Sequence, residues 1–98
     1  MSMTYEERRA VYETAIEHYG PVNQAIVAVE EMAELTKELA KSFRPEGSTL
    51  EKLVDELADV TVMVEQLRLA FHINNAVQDR IDYKVRRLAQ RIKEDQHA

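Results

Sequence analysis

The chain contains no cysteine and no tryptophan, and among its 98 residues there are only two glycines, two prolines and six aromatic side chains. Without cysteine there can be no disulfide framework and no thiolate metal site. Two isolated glycines leave no glycine-rich loop to cradle a phosphate. There is no apolar run of the length needed to cross a bilayer and no signal-peptide pattern, so the expectation is a cytoplasmic protein with no membrane partner. Positive charge is also in short supply. Thirteen basic residues face eighteen acids, for a net charge of −5, which makes a nucleic-acid backbone a poor partner.

What is present is helical. With 45% apolar residues the length suits one small domain, residues 1–98, with no room for a second core. No internal repeat or strand-like alternation interrupts the pattern. Thr4 and Glu7 have capping-box spacing, which predicts a first helix over about Tyr5 to Tyr19, ended by Gly20-Pro21. Its apolar stripe is Val11, Ala15, Ile16 and Tyr19, with Arg8 and Tyr12 at the margin; His18 at its end suits the negative pole of the helix dipole. A second helix is expected from Val22 to about Ser42, closed by the Phe43 to Gly47 segment with its proline and glycine. Ser48 and Glu51 repeat the capping-box spacing before a third helix, Thr49 to Phe71. Asn75 is then the expected N-cap of a fourth, Ala76 to about Glu94, with a frayed tail after Lys93. The fold class implied is all-α, an antiparallel bundle of about four helices completed by oligomerisation.

The stretch from Glu30 to Asp59 carries nine acids against four bases and concentrates the chemistry. Glu31 and Glu34 are three apart on the second helix, as are Glu56 and Asp59 on the third, and residues so spaced share a face with Cβ atoms roughly 5 to 6 Å apart. On the second helix, Val22, Ala25, Ile26, Val29, Ala33, Thr36, Ala40 and Phe43 form the main apolar stripe, with Glu31, Glu34 and Glu38 opposite, as on any solvated helix face. The third helix differs. Beside its main stripe of Leu53, Val54, Leu57, Val60, Thr61 and Val64, it carries Ala58, Val62 and Met63 on other faces, and a helix apolar nearly all round is a buried one. No Lys or Arg occurs between Leu53 and Gln66 to compensate Asp59 there, and an uncompensated buried carboxylate costs several kcal/mol or becomes neutral. A cation shared by Glu31, Glu34, Glu56 and Asp59 accounts for all four acids. Oxygen-only donors select a hard ion, Mg²⁺ with Mn²⁺ as a substitute, and the lack of a Glu-x-x-His pair argues against a di-iron or ferritin-type site.

The order Glu-Glu-x-x-Glu, a spacer, then Glu-x-x-Asp, here Glu30, Glu31, Glu34, Glu56 and Asp59, resembles the signature of the all-α nucleoside triphosphate pyrophosphohydrolases, the superfamily of MazG-like proteins and dimeric dUTPases. The flanking text QAIVAVEEMAELTKELAK and LVDELADVTVMVEQLRLAF is similar to that of short MazG-like proteins, and the likeness spans His18 to Arg91. It implies Mg²⁺-dependent hydrolysis of a nucleoside triphosphate at the α-phosphate, to monophosphate and pyrophosphate, by a dimer or tetramer whose chains share the site. Metal ligands would be Glu31, Glu34, Glu56 and Asp59. Glu34 or Glu38 would take the proton of the attacking water, and Glu30, about 100° round the helix from Glu31, would act from behind the ligands. Gln24, two turns before Glu31, is the candidate for reading the base. Lys84 and Arg87, on a basic rail with Arg91, are candidates for phosphate oxygens. The competing expectation is a non-catalytic helical-bundle interaction protein whose acids merely solvate it, with properties indifferent to Mg²⁺.

Overall fold

The computed structural model describes residues 2–45, 47 and 49–97. Four helices follow one another: α1 (Tyr5–Tyr19), α2 (Pro21–Ser42), α3 (Leu50–Ala70) and α4 (Asn74–Gln96). Among the described residues there is no strand and no helix long and apolar enough to cross a membrane.

Local chemistry explains the boundaries. Thr4 Oγ1 accepts from the Glu7 amide at 3.1 Å while the Glu7 carboxylate accepts from the Thr4 amide at 3.0 Å, a complete capping box. Hydrogen bonding of its carboxylate to the Thr4 amide, and then to the Thr4 side chain, holds the Glu7 carboxyl below its ordinary range. Gly20, at φ 89°, closes α1 and precedes Pro21, which opens α2 one residue earlier than the expected Val22 because a proline lacks only an amide that the first turn does not use. The expected Ser48 cap lies outside the described residues. Thr49 is the N-cap of α3, its hydroxyl accepting from the Lys52 amide at 3.2 Å, so the helix begins at Leu50. It ends at Ala70, one residue short of Phe71.

The start of α4 is a second correction. Asn75 is not its cap; the helix opens at Asn74 with no side-chain cap, and it runs on through the expected frayed tail to Gln96. Its entry is fixed from the α3 side instead. His72, at φ 57°, donates its amide to Leu69 O, and Ile73 donates to Arg68 O. This is the paired closure in which a left-handed residue, usually glycine, ends a helix. Arg68 Nη2 then reaches Asn74 O at 3.4 Å and Gln78 Oε1 at 3.1 Å, tying the first turn of α4 to α3.

The packing inverts the expected faces. α2 and α3 form the main helix pair, and α1 lies across both. The side of α2 that meets α3 is not its apolar stripe but the opposite one: Gln24, Ala28, Glu31, Leu35 and Glu38, at alternating spacings of four and three, are all buried or half-buried. The stripe is left to solvent, with Val22 70%, Val29 67% and Phe43 87% exposed. On α3 the inward side is Glu56, Asp59, Val60, Met63, Gln66 and Leu67, whereas Val54 and Leu57 face water. Met63, off the main stripe of α3, is buried within the protomer; Leu69 is half-covered and Val62 exposed. On α1 the buried residue is Tyr12, its hydroxyl donating to Glu65, while Val11 and Tyr19 are exposed. Burial, and then the Glu65 bond, push the Tyr12 phenol up to about 12.

Little of the apolar surface is therefore covered. Among the described residues only Tyr12, Ala28 and Met63 are buried apolar side chains. The radius of gyration is 16.8 Å, against roughly 13 Å for a compact chain of about 100 residues. α4 accounts for much of the difference, since it packs on α3 alone and every residue from Gln78 to His97 is exposed.

Candidate metal centre

The polar seam between α2 and α3 carries the acids. Glu31 comes from the middle of α2, and Glu56 and Asp59 come from successive turns of α3. A carboxylate oxygen from each of the three lies within 4.8 Å of the others. All three residues are half-buried. Glu34 lies outside this trio and is exposed, yet it is close enough for its charge to raise both Glu31 and Glu56. The four acids expected to share a cation thus divide into three that converge and one at their edge.

Loss of solvent and mutual repulsion set the electrostatics of the trio. The Glu31 carboxyl is held above its ordinary value by loss of solvent, then by the charges of Asp59 and Glu56, and by a hydrogen bond with Asp59. Glu56 is raised by loss of solvent, then by Asp59, Glu34, Asp55 and Glu38. Glu56 Oε2 is buried without a hydrogen-bond partner, an arrangement that water or protein normally relieves. An acceptor with no donor, in a group of oxygens with no cation beside it, is the donor set a hard divalent ion satisfies. The residues present fit such an ion.

The remaining candidates separate into those that the seam gathers and those that it does not. Gln24 is buried, and its Nε2 donates to Gln66 Oε1 at 2.7 Å. Gln66 in turn donates to Met63 Sδ at 3.5 Å. The pair occupies the same seam as the acids, seven residues before Glu31 and seven after Asp59, or about 10 Å along the helices. Glu38 is also buried and lies 3.8 Å from Lys41 Nζ, so it is engaged within α2 instead of facing solvent. Glu30 is exposed beside Glu31. Lys84 and Arg87 are exposed on α4, which is not packed on α2, so the protomer does not bring them to the acids.

Gln66 is the residue the sequence reading missed. Its signal was available: a polar amide at seam spacing from Asp59 and Met63 within an apolar helix requires a partner, and Gln24 is the equivalent residue on α2. Comparison of the chain with protein-family models, with curated proteins and with solved structures gives no match.

Proposed function

We propose that the protein is a Mg²⁺-dependent nucleoside triphosphate pyrophosphohydrolase of the MazG-like kind, acting on cytoplasmic nucleotides. The observation that carries this reading is the convergence of Glu31, Glu56 and Asp59 from two helices to within 4.8 Å, with an unpartnered Glu56 oxygen among them. These three would hold the ion, Mn²⁺ substituting, with Glu34 at the edge as a fourth donor. When bound, a divalent ion supplies positive charge against the triphosphate and acidifies water. The reaction adds water at the α-phosphorus and breaks its bond to the bridging oxygen, so that pyrophosphate leaves.

Glu34 is the better acceptor for the water's proton, because it is exposed beside the trio while Glu38 is engaged by Lys41. Glu30 supports the α2 acids from the adjoining exposed face. Gln24, bonded to Gln66 in the same seam, remains the candidate for reading the base. Lys84 and Arg87 lie on α4, which does not reach the acids of its own chain, so no phosphate contact is assigned to them; the assembly proposed is a homo-oligomer, dimer or tetramer. The uncovered apolar faces of α2 and α3 support that assembly. Pyrophosphate release from a panel of canonical and modified nucleoside triphosphates, with Mg²⁺ and with chelator, tests the reading. Release that requires Mg²⁺ supports it. No release from any of them, with a melting temperature indifferent to Mg²⁺, would leave a helical interaction protein.

A further inference from the structure

α4 is a 23-residue helix that covers nothing of its own chain beyond its first turn. Val77, Ile81, Val85, Leu88 and Ile92 recur along one side of it at spacings of three and four, and the last four are exposed. An isolated helix of mixed sequence is marginal in water, and most helical stability comes from packing an amphipathic face. Something must therefore cover this stripe.

The protomer offers a matching surface that α4 does not use. Val11 and Tyr12 of α1, with Leu57, Ala58, Thr61 and Val62 of α3, line a groove on the side of α3 away from the acid seam, and its charged lining, Arg8 and Glu65, is paired within the groove at 3.8 Å. A groove between two helices is the usual seat for the apolar face of a third. The charges agree. α4 holds six of the thirteen basic residues but only four of the eighteen acids, for a net charge of +2, while the rest of the chain stands at −7. Arg80, Lys84, Arg87 and Arg91 flank the α4 stripe along one edge, and Glu51 and Asp55 lie on the α3 side that carries Val62.

The chain's own groove is not available to its own α4. The turn at His72, closed by its bonds to Leu69 and Arg68, and the Arg68 bonds to Asn74 and Gln78 set the direction in which α4 leaves α3. That direction keeps the helix clear of α1 and α2 after its start. We propose that α4 seats its apolar stripe in the α1–α3 groove of a second copy of this chain, and that the second copy's α4 does the same in return. A two-fold arrangement repeats the contact and so doubles the area removed from water. This goes beyond the expectation of an oligomer by naming the helix and the groove that form it, and it does not depend on the reaction proposed above.

The absence of cysteine makes the test clean. Single-cysteine chains carrying Ile81→Cys, Val85→Cys or Leu88→Cys are each mixed with an isotopically heavy chain carrying Leu57→Cys or Val62→Cys and oxidised. At least one mixed pair should give a covalent heterodimer by mass, and Asp79→Cys, on the far side of α4, should give none. Absence of any mixed cross-link overturns the proposal, as does a mixed cross-link that forms as readily from Asp79→Cys. The second measurement is sedimentation of the Val85→Asp/Leu88→Asp chain at micromolar concentration, with helicity checked by circular dichroism. A wild-type dimer that becomes a helical monomer supports the exchange. A variant that stays dimeric overturns it while leaving another interface, and a monomeric wild type overturns both the exchange and the oligomer; pyrophosphate release decides the catalytic reading separately in either case.

Discussion

Gln24 Nε2 donates to Gln66 Oε1 at 2.7 Å across the α2–α3 seam, and both side chains are buried. The pair sits where an apolar contact would be expected, in the same line of residues as the acids. Removing one amide leaves the other buried without its partner, whereas removing both leaves nothing unsatisfied. Gln24→Leu alone should therefore cost about 1–3 kcal/mol in urea unfolding, and Gln24→Leu/Gln66→Leu should recover most of that loss. A double variant as unstable as the sum of the singles would show that the two amides do not act as a pair.

Glu56→Gln and Asp59→Asn each remove one negative donor from the converging trio. Each should lower Mg²⁺-dependent turnover about a hundredfold or more if the site works through an ion. In the absence of metal the same changes should raise the melting temperature at neutral pH, because Glu31 and Glu56 are lifted by loss of solvent and then by repulsion among the acids, and each change removes one of the repelling charges. Glu17→Gln, on exposed α1, serves as the control. Glu65 cannot, since it accepts from Tyr12 and lies 3.8 Å from Arg8. Asp59→Asn with wild-type activity would remove the metal assignment.

The pH dependence follows from the same two carboxyls. Glu31 and Glu56 have folded values above their ordinary 4.5, so between 4.5 and those raised values the folded chain holds more protons than the unfolded one. Their contribution is complete below 4.5 and is lost as pH rises through the raised values. Melting without metal should accordingly occur at a lower temperature at pH 7.5 than at pH 5.5. The exposed Glu7 acts in the opposite sense, its lowered value contributing above 4.5 and fading as pH falls. Millimolar Mg²⁺ binds the ionised trio and should restore the melting temperature at pH 7.5. Thermal scans at the two pH values, with Mg²⁺ and with chelator, check both the sign and the reversal.

His72 is the one described non-glycine residue at positive φ, 57°, and it occupies the left-handed position that closes α3. A side chain in that conformation carries a cost of about 1 kcal/mol that glycine avoids. His72→Gly should thus stabilise the chain by up to about 1 kcal/mol in urea unfolding, with the turn and the exit of α4 preserved. Destabilisation would mean that the imidazole itself holds the α3–α4 junction.

The helices were legible in the sequence because their signals are local. The Thr4–Glu7 capping box, Gly20-Pro21 and the Phe43 to Gly47 break act within a turn of the residues they punctuate, and the structure places helix ends at or within a residue of them. Asn75 misled because a cap-forming residue near a helix start need not be the cap; the closure of α3 at His72 and Ile73 starts α4 earlier. The acid trio was legible in part, since spacing puts Glu56 and Asp59 on one face of one helix whatever that helix packs against.

What only the tertiary structure decided is which face of each helix turns inward. Periodicity finds the apolar stripe of α2, but it cannot say whether the neighbour is another helix of the same chain or something outside it. Here α3 meets α2 through Gln24, Ala28, Glu31, Leu35 and Glu38, and the stripe of Val22, Ile26 and Val29 is left facing out. A hydrogen bond between two amides and a set of carboxylates gathered from two helices need partners from both sides, so their placement depends on the register of α2 against α3, which no single helix encodes. The same holds for Lys84 and Arg87. The sequence put them on a basic edge of an amphipathic helix, and the turn at His72 decided that this edge lies away from the acids of its own chain.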